Sequence, residues 1–202
     1  MKIKELMVPN PITITRESTI QEAIEVMKVN SIRHLPVVKK EDNTLDGFVT
    51  LSDLKTGLIP SMVADVTLPD LIINDPIVVS PDDDVEIAAQ LIYKHKIGGM
   101  PVVEKGKVVG IITESDILRA FIDMMGILMS SSRIDVSVGN EPGALKRALQ
   151  IIHDNGGEII NVGITAMRPE KKVYYFRLAP CDTKVIADTL EREGMEVIAA
   201  MD

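Results

Sequence analysis

The sequence has no tryptophan, only three phenylalanines and three tyrosines, and a single cysteine among its 202 residues. One cysteine excludes an internal disulfide and any metal site built from several thiolates. The scarcity of aromatic rings removes the stacking platforms on which single-stranded nucleic acids bind. Every apolar stretch falls short of the ~18 uncharged residues that a membrane-spanning helix needs, so no membrane partner is expected.

Basic residues are also scarce relative to acidic ones: 22 Lys and Arg stand against 30 Asp and Glu, which gives a net charge of −8. Neither the first 125 residues nor the remainder offers the basic field that a phosphate backbone requires, so no nucleic-acid partner is expected. The first six residues lack the apolar core of a signal peptide, which favours a cytoplasmic location. Because His34, His95 and His153 are scattered, no metal site is predicted.

An internal repeat organises the first 125 residues. Without gaps, residues 11–38 align on residues 76–103, and residues 47–54 align on residues 110–117. The copies are 65 residues apart in the first alignment and 63 residues apart in the next, so the turn between the aligned segments is two residues shorter in the second copy. A length difference confined to a turn is what a shared fold predicts. Each copy has the pattern β-α-β-β-α. We predict an α/β (α+β) fold with a pseudo-symmetric pair of units, residues 1–62 and 63–125, that bury their sheets against each other.

Each repeat contains a Gly-x-x-Thr-x-x-Asp element where a strand passes directly into a helix. The elements are Gly47, Thr50 and Asp53 in the first repeat, and Gly110, Thr113 and Asp116 in the second. Free backbone N–H groups and the positive end of the helix dipole are expected to face outward there. The threonine hydroxyl can donate to a phosphate, and the aspartate one turn later can accept from a ribose diol. The alternative is that both threonine–aspartate pairs only cap their helices.

These duplicated elements resemble a tandem cystathionine-β-synthase (CBS) domain pair, the Bateman module, as do the segments His-Leu-Pro-Val-Val (34–38) and Gly-Met-Pro-Val-Val (99–103). The resemblance implies a non-catalytic sensor that binds AMP, ADP, ATP or S-adenosylmethionine between the repeats as a regulatory ligand, with no catalytic cofactor. By resemblance, the aspartates would bind ribose hydroxyls and the threonines would bind phosphate. The implied first cleft combines Thr50 and Asp53 with Ile72, Ile77 and Ile97, and the second combines Thr113 and Asp116 with Met7, Ile12 and Ile32.

The two implied clefts differ just before the shared proline motif. The first repeat has Arg33 and His34 at this place, whereas the second has Gly98 and Gly99. Basic groups at this place contact nucleotide phosphates in some members of the family that the repeats resemble. We therefore expect the Thr50 cleft to prefer phosphorylated ligands, with His34 contributing only when it is protonated. The alternative is that Arg33 and His34 form a solvated edge without a ligand.

Residues 132–202 show a different order of elements. An alternating strand is predicted at 133–138, a hairpin at 159–167 and 173–178 around a turn at 168–172, and a last strand at 195–201. An amphipathic helix is predicted at 144–155 and a second helix at 182–193. The order βαββαβ predicts the ferredoxin-like split unit. With Glu-Pro-Gly-Ala-Leu (141–145) opening its first helix, this part resembles an ACT domain.

The ACT resemblance implies sheets that pair edge to edge and an amino-acid site at the turn formed by Asn140, Glu141, Pro142 and Gly143. A ligand-free dimerisation domain is the favoured alternative. Exposed sheet edges associate readily, and the turn lacks a charged anchor for an amino-acid carboxylate.

A CBS pair followed by an ACT-like domain resembles the AcuB-type acetoin-utilisation accessory proteins, which implies regulation of acetoin or acetyl-CoA metabolism. The leading hypothesis is a ligand sensor whose dimer passes a nucleotide-dependent change to a regulated enzyme partner. A homodimer or higher symmetric oligomer is predicted, because Ile87, Leu91 and residues 124–129 offer apolar surface and the ACT-like sheet has open edges. The alternatives are a structural adaptor with empty clefts and an enzyme. The enzyme is disfavoured because no Ser/His/Asp set or glycine-rich P-loop is recognisable.

Overall fold

The computed structural model describes residues 1–57, 66–165 and 172–202. The chain divides into two compact units, Met1–Leu118 and Arg119–Asp202. The predicted boundary between the repeats, at residues 62 and 63, and most of the predicted turn at 168–172 lie outside the described residues. Within the described part, no helix is both long and apolar enough to cross a membrane.

The order α-β-β-α occurs twice in residues 1–124, as the repeat predicts, and the last of these helices, Glu114–Met124, begins in the first unit and ends in the second. A short 3-10 helix (Ile3–Glu5) and strand β1 (Val8–Pro9) come first. The first repeat then has α1 (Ile20–Val29), β2 (His34–Val38), β3 (Leu45–Thr50) and α2 (Leu51–Gly57). After a one-turn helix α3 (Leu68–Leu71), the second repeat has α4 (Val85–His95), β4 (Gly99–Glu104), β5 (Lys107–Thr113) and α5 (Glu114–Met124). The predicted opening strands of the two repeats form isolated bridges at matching positions, Ile14 with Val37 and Val79 with Val102.

Helix α1 shows how the sequence sets these elements. The Glu22 N–H donates to the Thr19 hydroxyl at 3.1 Å, and the Thr19 N–H donates to the Glu22 carboxylate at 2.7 Å, which completes a capping box. Ile20, Ala23 and Met27 recur at helical spacing and are all buried. The helix therefore starts at a defined residue and packs one apolar face into the core of its repeat.

The opening segments of the two repeats are exchanged. Val8, at the start of the first repeat, pairs with Ile111 in β5 of the second repeat. Ile73, at the start of the second repeat, pairs with Phe48 in β3 of the first repeat through two backbone hydrogen bonds of 2.9 and 3.0 Å. Each sheet therefore contains backbone from both repeats.

Two glycines at matching positions permit this exchange. A Cβ atom at Gly110 would lie 2.3 Å from the Met7 sulfur, and a Cβ atom at Gly47 would lie 2.3 Å from Cγ2 of Ile72. Non-bonded heavy atoms do not approach so closely, so with a larger residue at either position the Met7 or Ile72 side chain of the crossing segment would have to move.

Each repeat has its own apolar core. The first contains Ile14, Ile20, Ala23, Met27, Leu35, Val37, Val49, Leu54, Leu68 and Ile72. The second contains Ile3, Val79, Val85, Ala88, Ile92, Met100, Val102, Ile112 and Ile117. The presence of Ile3 in the second core shows that the N-terminal segment belongs structurally to the second repeat.

The second unit has the βαββαβ order that the sequence predicts. Its elements are β6 (Ser132–Ser137), α6 (Ala144–Asp154), β7 (Ile159–Thr165), β8 (Val173–Leu178), α7 (Thr183–Arg192) and β9 (Glu196–Met201). The strands form one antiparallel sheet in the order β7-β8-β6-β9, which is the ferredoxin-like arrangement.

Helices α6 and α7 cover one face of this sheet. Ile134 and Phe176 of the sheet pack with Ile152 of α6 and Ile186 of α7, and all four side chains are fully buried. Because neighbouring residues on a strand point to opposite faces, the residues flanking Ile134 and Phe176 belong to the other face.

Candidate functional site

A cleft of 720 Å³ lies in the first unit and takes its walls from both repeats. Its lining residues are Arg33, His34, Phe48, Thr50, Leu51, Ser52, Asp53, Lys55, Ile73, Asp75, Pro76, Ile77, Lys96, Ile97, Gly98, Gly99 and Glu114. The cleft therefore brings together six of the seven residues that were predicted for the first site. Its volume lies within the ~300–1,000 Å³ that is usual for small-molecule sites.

The Thr50–Asp53 pair forms a closed set of hydrogen bonds at the junction of β3 and α2. Oδ2 of Asp53 accepts from the Thr50 N–H at 3.0 Å and from the Thr50 hydroxyl at 2.6 Å. In return, the Asp53 N–H donates to the Thr50 hydroxyl oxygen at 3.3 Å. The single hydroxyl proton of Thr50 is therefore directed at Asp53 rather than into the cleft.

The second element repeats the two bonds that the aspartate carboxylate accepts. Oδ2 of Asp116 accepts from the Thr113 N–H at 2.8 Å and from the Thr113 hydroxyl at 2.6 Å. The same set occurs a third time, where Oδ2 of Asp70 accepts from the Thr67 N–H at 2.9 Å and from its hydroxyl at 2.6 Å. Thr67 and Asp70 do not line the 720 Å³ cleft, so the hydrogen-bond pattern alone does not define a ligand site.

The backbone N–H groups at the start of α2 and α5 are less free than the sequence suggests. The Leu51 N–H donates to the Arg33 carbonyl at 2.9 Å, and the Glu114 N–H donates to the Gly98 carbonyl at 3.0 Å. These contacts and the threonine–aspartate bonds therefore occupy several of the donors that were expected to face outward.

Ile72 does not line the cleft, and its neighbour Ile73 does. Ile72 is 6% exposed and belongs to the core of the first repeat, where it packs over Gly47. Ile73 is 43% exposed and lies in the cleft wall. Consecutive residues of an extended segment point to opposite sides, so an offset of one residue exchanges a core position for a site position.

The same offset applies to the residues predicted for the second cleft. Met7 packs over Gly110 and against the core of the second repeat, whereas Val8, the counterpart of Ile73, is exposed. Ile32 packs against the core of the first repeat, and Ile12 is 41% exposed. Of these residues, only Ile12 and Val8 present substantial side-chain surface to solvent.

Ile77 and Ile97 line the first cleft as expected. Both are partly buried and also pack against the core of the second repeat. The apolar wall that faces Asp53 is therefore supplied across the repeat boundary and is supported from behind by a core.

His34 and Gly98 fit together where the two repeats meet. The His34 ring stacks on Phe48, with ring centroids 5.9 Å apart. A Cβ atom at Gly98 would lie 2.9 Å from Nε2 of His34. Gly98 of the second repeat therefore leaves space for the His34 ring of the first repeat. The histidine in one repeat and the glycine in the other are explained by this single contact.

The charges in the cleft balance. Arg33, Lys55 and Lys96 oppose Asp53, Asp75 and Glu114. Four of these charged residues were not predicted from the sequence: Lys55, Lys96, Asp75 and Glu114. The position of Glu114 directly after Thr113 in the second element could have marked it as a candidate site residue. Nothing in the sequence, however, indicated that it reaches the first cleft.

Burial lowers the pKa of His34 below the ordinary value of 6.5, and the nearby Arg33 guanidinium lowers it further. Asp53 and Glu114 oppose this shift only in part. The ring is therefore neutral near pH 7, and it gains a charge only at a lower pH than the sequence-based hypothesis assumed.

The His34→Gln variant is expected to lose less stability than the parent when the pH falls from 7 to 5. The unfolded chain binds a proton at His34 more readily than the folded chain does, so the stability contributed by the neutral ring is complete above about pH 6.5 and declines below it. Urea unfolding at several pH values measures this effect. His153→Gln, at a solvent-exposed histidine, is the control, and equal pH dependence of both variants and the parent would contradict the prediction.

The predicted ligand turn of the second unit lies at the start of α6. Gly143 has φ +84° and caps the helix, and the Glu141 carboxylate forms an ion pair with Arg147 at 3.1 Å. Asn140, Glu141, Pro142 and Gly143 are all exposed. Within the described part of the chain, no group of three or more His, Cys, Asp or Glu side chains is arranged to hold a metal ion.

Comparison with known proteins gives a family match in the first unit. A family model for the CBS domain matches residues 3–59 and 63–123, which together form more than half of the chain. The chain is 30% identical over 117 residues to uncharacterized protein MJ1225 of Methanocaldococcus jannaschii, covering 58% of this chain and 41% of that protein. It is 34% identical over 121 residues to an inosine-5'-monophosphate dehydrogenase of the same organism, covering 58% of this chain and 23% of that enzyme. The chain therefore spans well under half the length of these curated relatives.

Solved structures show the same similarity. An acetoin utilization protein (AcuB) from Vibrio cholerae is 32% identical with a TM-score of 0.56, covering 63% of this chain and 95% of that chain. The CBS domain pair of protein MJ0100, in complex with 5'-methylthioadenosine and S-adenosyl-L-methionine, is 30% identical with a TM-score of 0.55, covering 60% and 95%. The protein CBSX2, in complex with AMP, is 27% identical with a TM-score of 0.55, covering 60% and 96%.

Proposed function

The chain belongs to the CBS domain family, and we propose that it is a cytoplasmic regulatory sensor that binds an adenine nucleotide, or S-adenosylmethionine, between its repeats. The observation that carries the proposal is the Thr50–Asp53 pair in the wall of a 720 Å³ cleft that also contains Ile77 and Ile97. Similar CBS structures hold AMP, or methylthioadenosine and S-adenosylmethionine, which supports an adenosyl ligand. Two experiments test the proposed adenosyl ligand. Mass spectrometry of denatured protein identifies any nucleotide retained through purification, and calorimetry measures nucleotide binding.

In the proposed complex, Asp53 accepts hydrogen bonds from the ribose. Its Oδ2 atom already accepts two bonds from Thr50, and a carboxylate has lone pairs for about four bonds in all. Oδ1 is therefore the atom that we assign to the ribose hydroxyls. Ile73, Ile77 and Ile97 form the apolar wall that we assign to the adenine base.

We assign the phosphate groups to Arg33 instead of Thr50. The Thr50 hydroxyl donates its proton to Asp53, so a phosphate could receive it only after that 2.6 Å bond broke. Arg33 is exposed, lines the cleft and has no ion-pair partner among the described residues. A guanidinium can form two parallel charge-assisted bonds with a phosphate.

Removing the Arg33 side chain is expected to reduce the preference of the first cleft for ATP over adenosine. The loss should be roughly tenfold or more, because charge-assisted hydrogen bonds contribute ~1.5–3 kcal/mol. Calorimetry with adenosine, AMP and ATP is done in an Asp116→Ala background, which leaves the first cleft intact. Arg33→Ala is compared with Lys28→Ala, at an exposed residue of α1 outside the cleft. An unchanged ATP/adenosine ratio would make Arg33 a solvated edge residue.

The second cleft remains part of the proposal, with Thr113 and Asp116 in the roles of Thr50 and Asp53. Met7, Ile12 and Ile32 were predicted for its base-binding wall, and the pseudo-symmetry adds Val8 as the counterpart of Ile73. Gly98 and Gly99 stand where the first repeat has Arg33 and His34, so we propose weaker phosphate selectivity there.

A structural adaptor with empty clefts is the second candidate. The observation in its favour is the Thr67–Asp70 pair, whose carboxylate accepts the same two bonds as those of Asp53 and Asp116 but which lies away from the first cleft. If capping explains all three pairs, no nucleotide is expected to bind. The calorimetric titration separates the two candidates directly.

We further propose that the chain forms a homodimer and acts on a regulated enzyme, with the second unit serving as an ACT-like dimerisation or ligand domain. Ile87 and much of residues 124–129 are exposed, which supports an apolar contact surface, although Leu91 packs partly against the second-repeat core. Similarity to the acetoin utilization protein of Vibrio cholerae supports a role in acetoin or acetyl-CoA metabolism. Light scattering measures the oligomeric state.

A further inference from the structure

A second cavity, of 380 Å³, lies in the second unit on the sheet face opposite α6 and α7. The sheet supplies Arg133, Asn161, Gly163, Tyr175 and Arg177, and the segment after α5 supplies Met125 and Ile127. Phe176 also borders the cavity, although its side chain is fully buried in the core on the helix face. One part of the lining is therefore cationic and another part is apolar. The described turn at Asn140–Gly143 contributes no residue to it.

The two arginines in this cavity differ in their partners. Arg133 donates from Nε and Nη2 to the Asp135 carboxylate at 2.7 and 2.5 Å, and Asp135 is only 4% exposed. This pair is neutral as a whole. Arg177 donates to the Ser131 hydroxyl at 2.7 Å and has no carboxylate partner among the described residues. The cavity therefore keeps one uncompensated, partly buried positive charge, which favours a single anionic group.

Gly163 provides a second, independent observation that points to a ligand in this cavity. It lies inside strand β7 opposite Tyr175, where a glycine weakens the strand. A Cβ atom at this position would meet nothing closer than Cβ of Tyr175 at 3.8 Å, an ordinary contact distance. Neither packing nor backbone conformation therefore requires glycine here. Its effect is to keep the cavity wall open, as a ligand in close approach to the backbone would need.

We propose that this cavity binds a small monocarboxylate with an apolar tail. The carboxylate pairs with Arg177, and the tail contacts Met125 and Ile127. A volume of 380 Å³ is at the small end of the ~300–1,000 Å³ range of ligand sites. None of the lining residues is acidic, so the cavity offers no ion pair to an α-ammonium group. A simple carboxylate is therefore favoured over an amino acid of the same shape.

The test is calorimetric titration of the full chain with 3-methylbutanoate and, separately, with leucine. Leucine has a similar branched apolar chain but also carries an α-ammonium group. Saturable binding of 3-methylbutanoate is expected, with leucine at least tenfold weaker. Arg177→Met keeps an apolar stem and removes the guanidinium, so its affinity should fall tenfold or more. Arg147→Met, at an exposed arginine of α6 outside the cavity, should leave the affinity within twofold.

Gly163→Val provides a variant that retains every charge and fills the open wall. It is expected to weaken 3-methylbutanoate binding at least tenfold while circular dichroism shows a folded sheet. The proposal is overturned if the folded parent shows no saturable binding, if both variants bind like the parent, or if leucine binds as tightly as 3-methylbutanoate. Nucleotide titration of the same samples reports on the first unit separately, so failure here is distinguishable from failure of the sensor function.

Discussion

Replacing both Asp53 and Asp116 by alanine is expected to remove AMP and ATP binding at micromolar concentrations. Each cleft would lose the carboxylate oxygen that we assign to the ribose hydroxyls. Losing hydrogen bonds to a charged acceptor costs on the order of 1.5–3 kcal/mol, which is tenfold or more in the dissociation constant. Calorimetry on the double variant measures this loss, and each single variant isolates the cleft that remains.

The chain supplies a matched control in Asp70. Oδ2 of Asp70 accepts from the Thr67 N–H and hydroxyl as Oδ2 of Asp53 does from Thr50, so Asp70→Ala should lose a capping contribution of the same kind. Nucleotide affinity should stay within twofold in this variant, because Asp70 lies outside the first cleft. If the Asp53, Asp116 double variant binds nucleotide as tightly as Asp70→Ala does, the aspartates are caps and the adaptor function is favoured.

The Phe176→Ala variant is expected to lower the free energy of unfolding of the second unit by ~3–5 kcal/mol. Phe176 is fully buried between the sheet and the helices α6 and α7, so truncation leaves a cavity in the centre of that core. Denaturant unfolding followed by circular dichroism measures the loss. Nucleotide affinity is expected to stay within twofold, since the core around Phe176 shares no residue with the two cores of the first unit.

Phe121→Ala serves as the comparison for this variant. Phe121 is 48% exposed on α5, so its truncation should change stability by less than ~1 kcal/mol. A loss at Phe176 no larger than that at Phe121 would show that the second unit does not depend on this core. A large fall in nucleotide affinity with Phe176→Ala would show that the two units do not fold independently.

The order of elements was predictable because periodicity and capping act over a few residues. Ile20, Ala23 and Met27 recur at helical spacing in α1, and the helix is capped by Thr19, a residue type that is common at helix starts, so both signals lie within a few residues. Because the same patterns occur at matching positions of both repeats, each local prediction was supported twice. The βαββαβ order of residues 132–202 followed from the same kind of pattern.

The details of the first site were less predictable because they depend on contacts between distant residues. Sequence alone does not show which side of an extended segment faces a sheet, so Ile72 was assigned in place of Ile73. It also does not show that the Leu51 N–H meets the Arg33 carbonyl or that Glu114 enters the first cleft. His34 and Gly98 were noticed as a difference between repeats, but only their contact explains it.

The exchanged opening segments also affect how the first unit folds. The pairing of Val8 with Ile111 joins residues from opposite ends of the first unit, and closing so long a loop costs more entropy than forming a hairpin, so we expect this pairing to form after the local hairpins β2–β3 and β4–β5. Each repeat completes its sheet with the segment that opens the other, so we expect the pair to fold as a single cooperative unit. An isolated repeat would leave one β-strand edge unpaired and prone to pair with a second copy. Joining both repeats in one chain replaces that bimolecular encounter with an intramolecular step at high effective concentration.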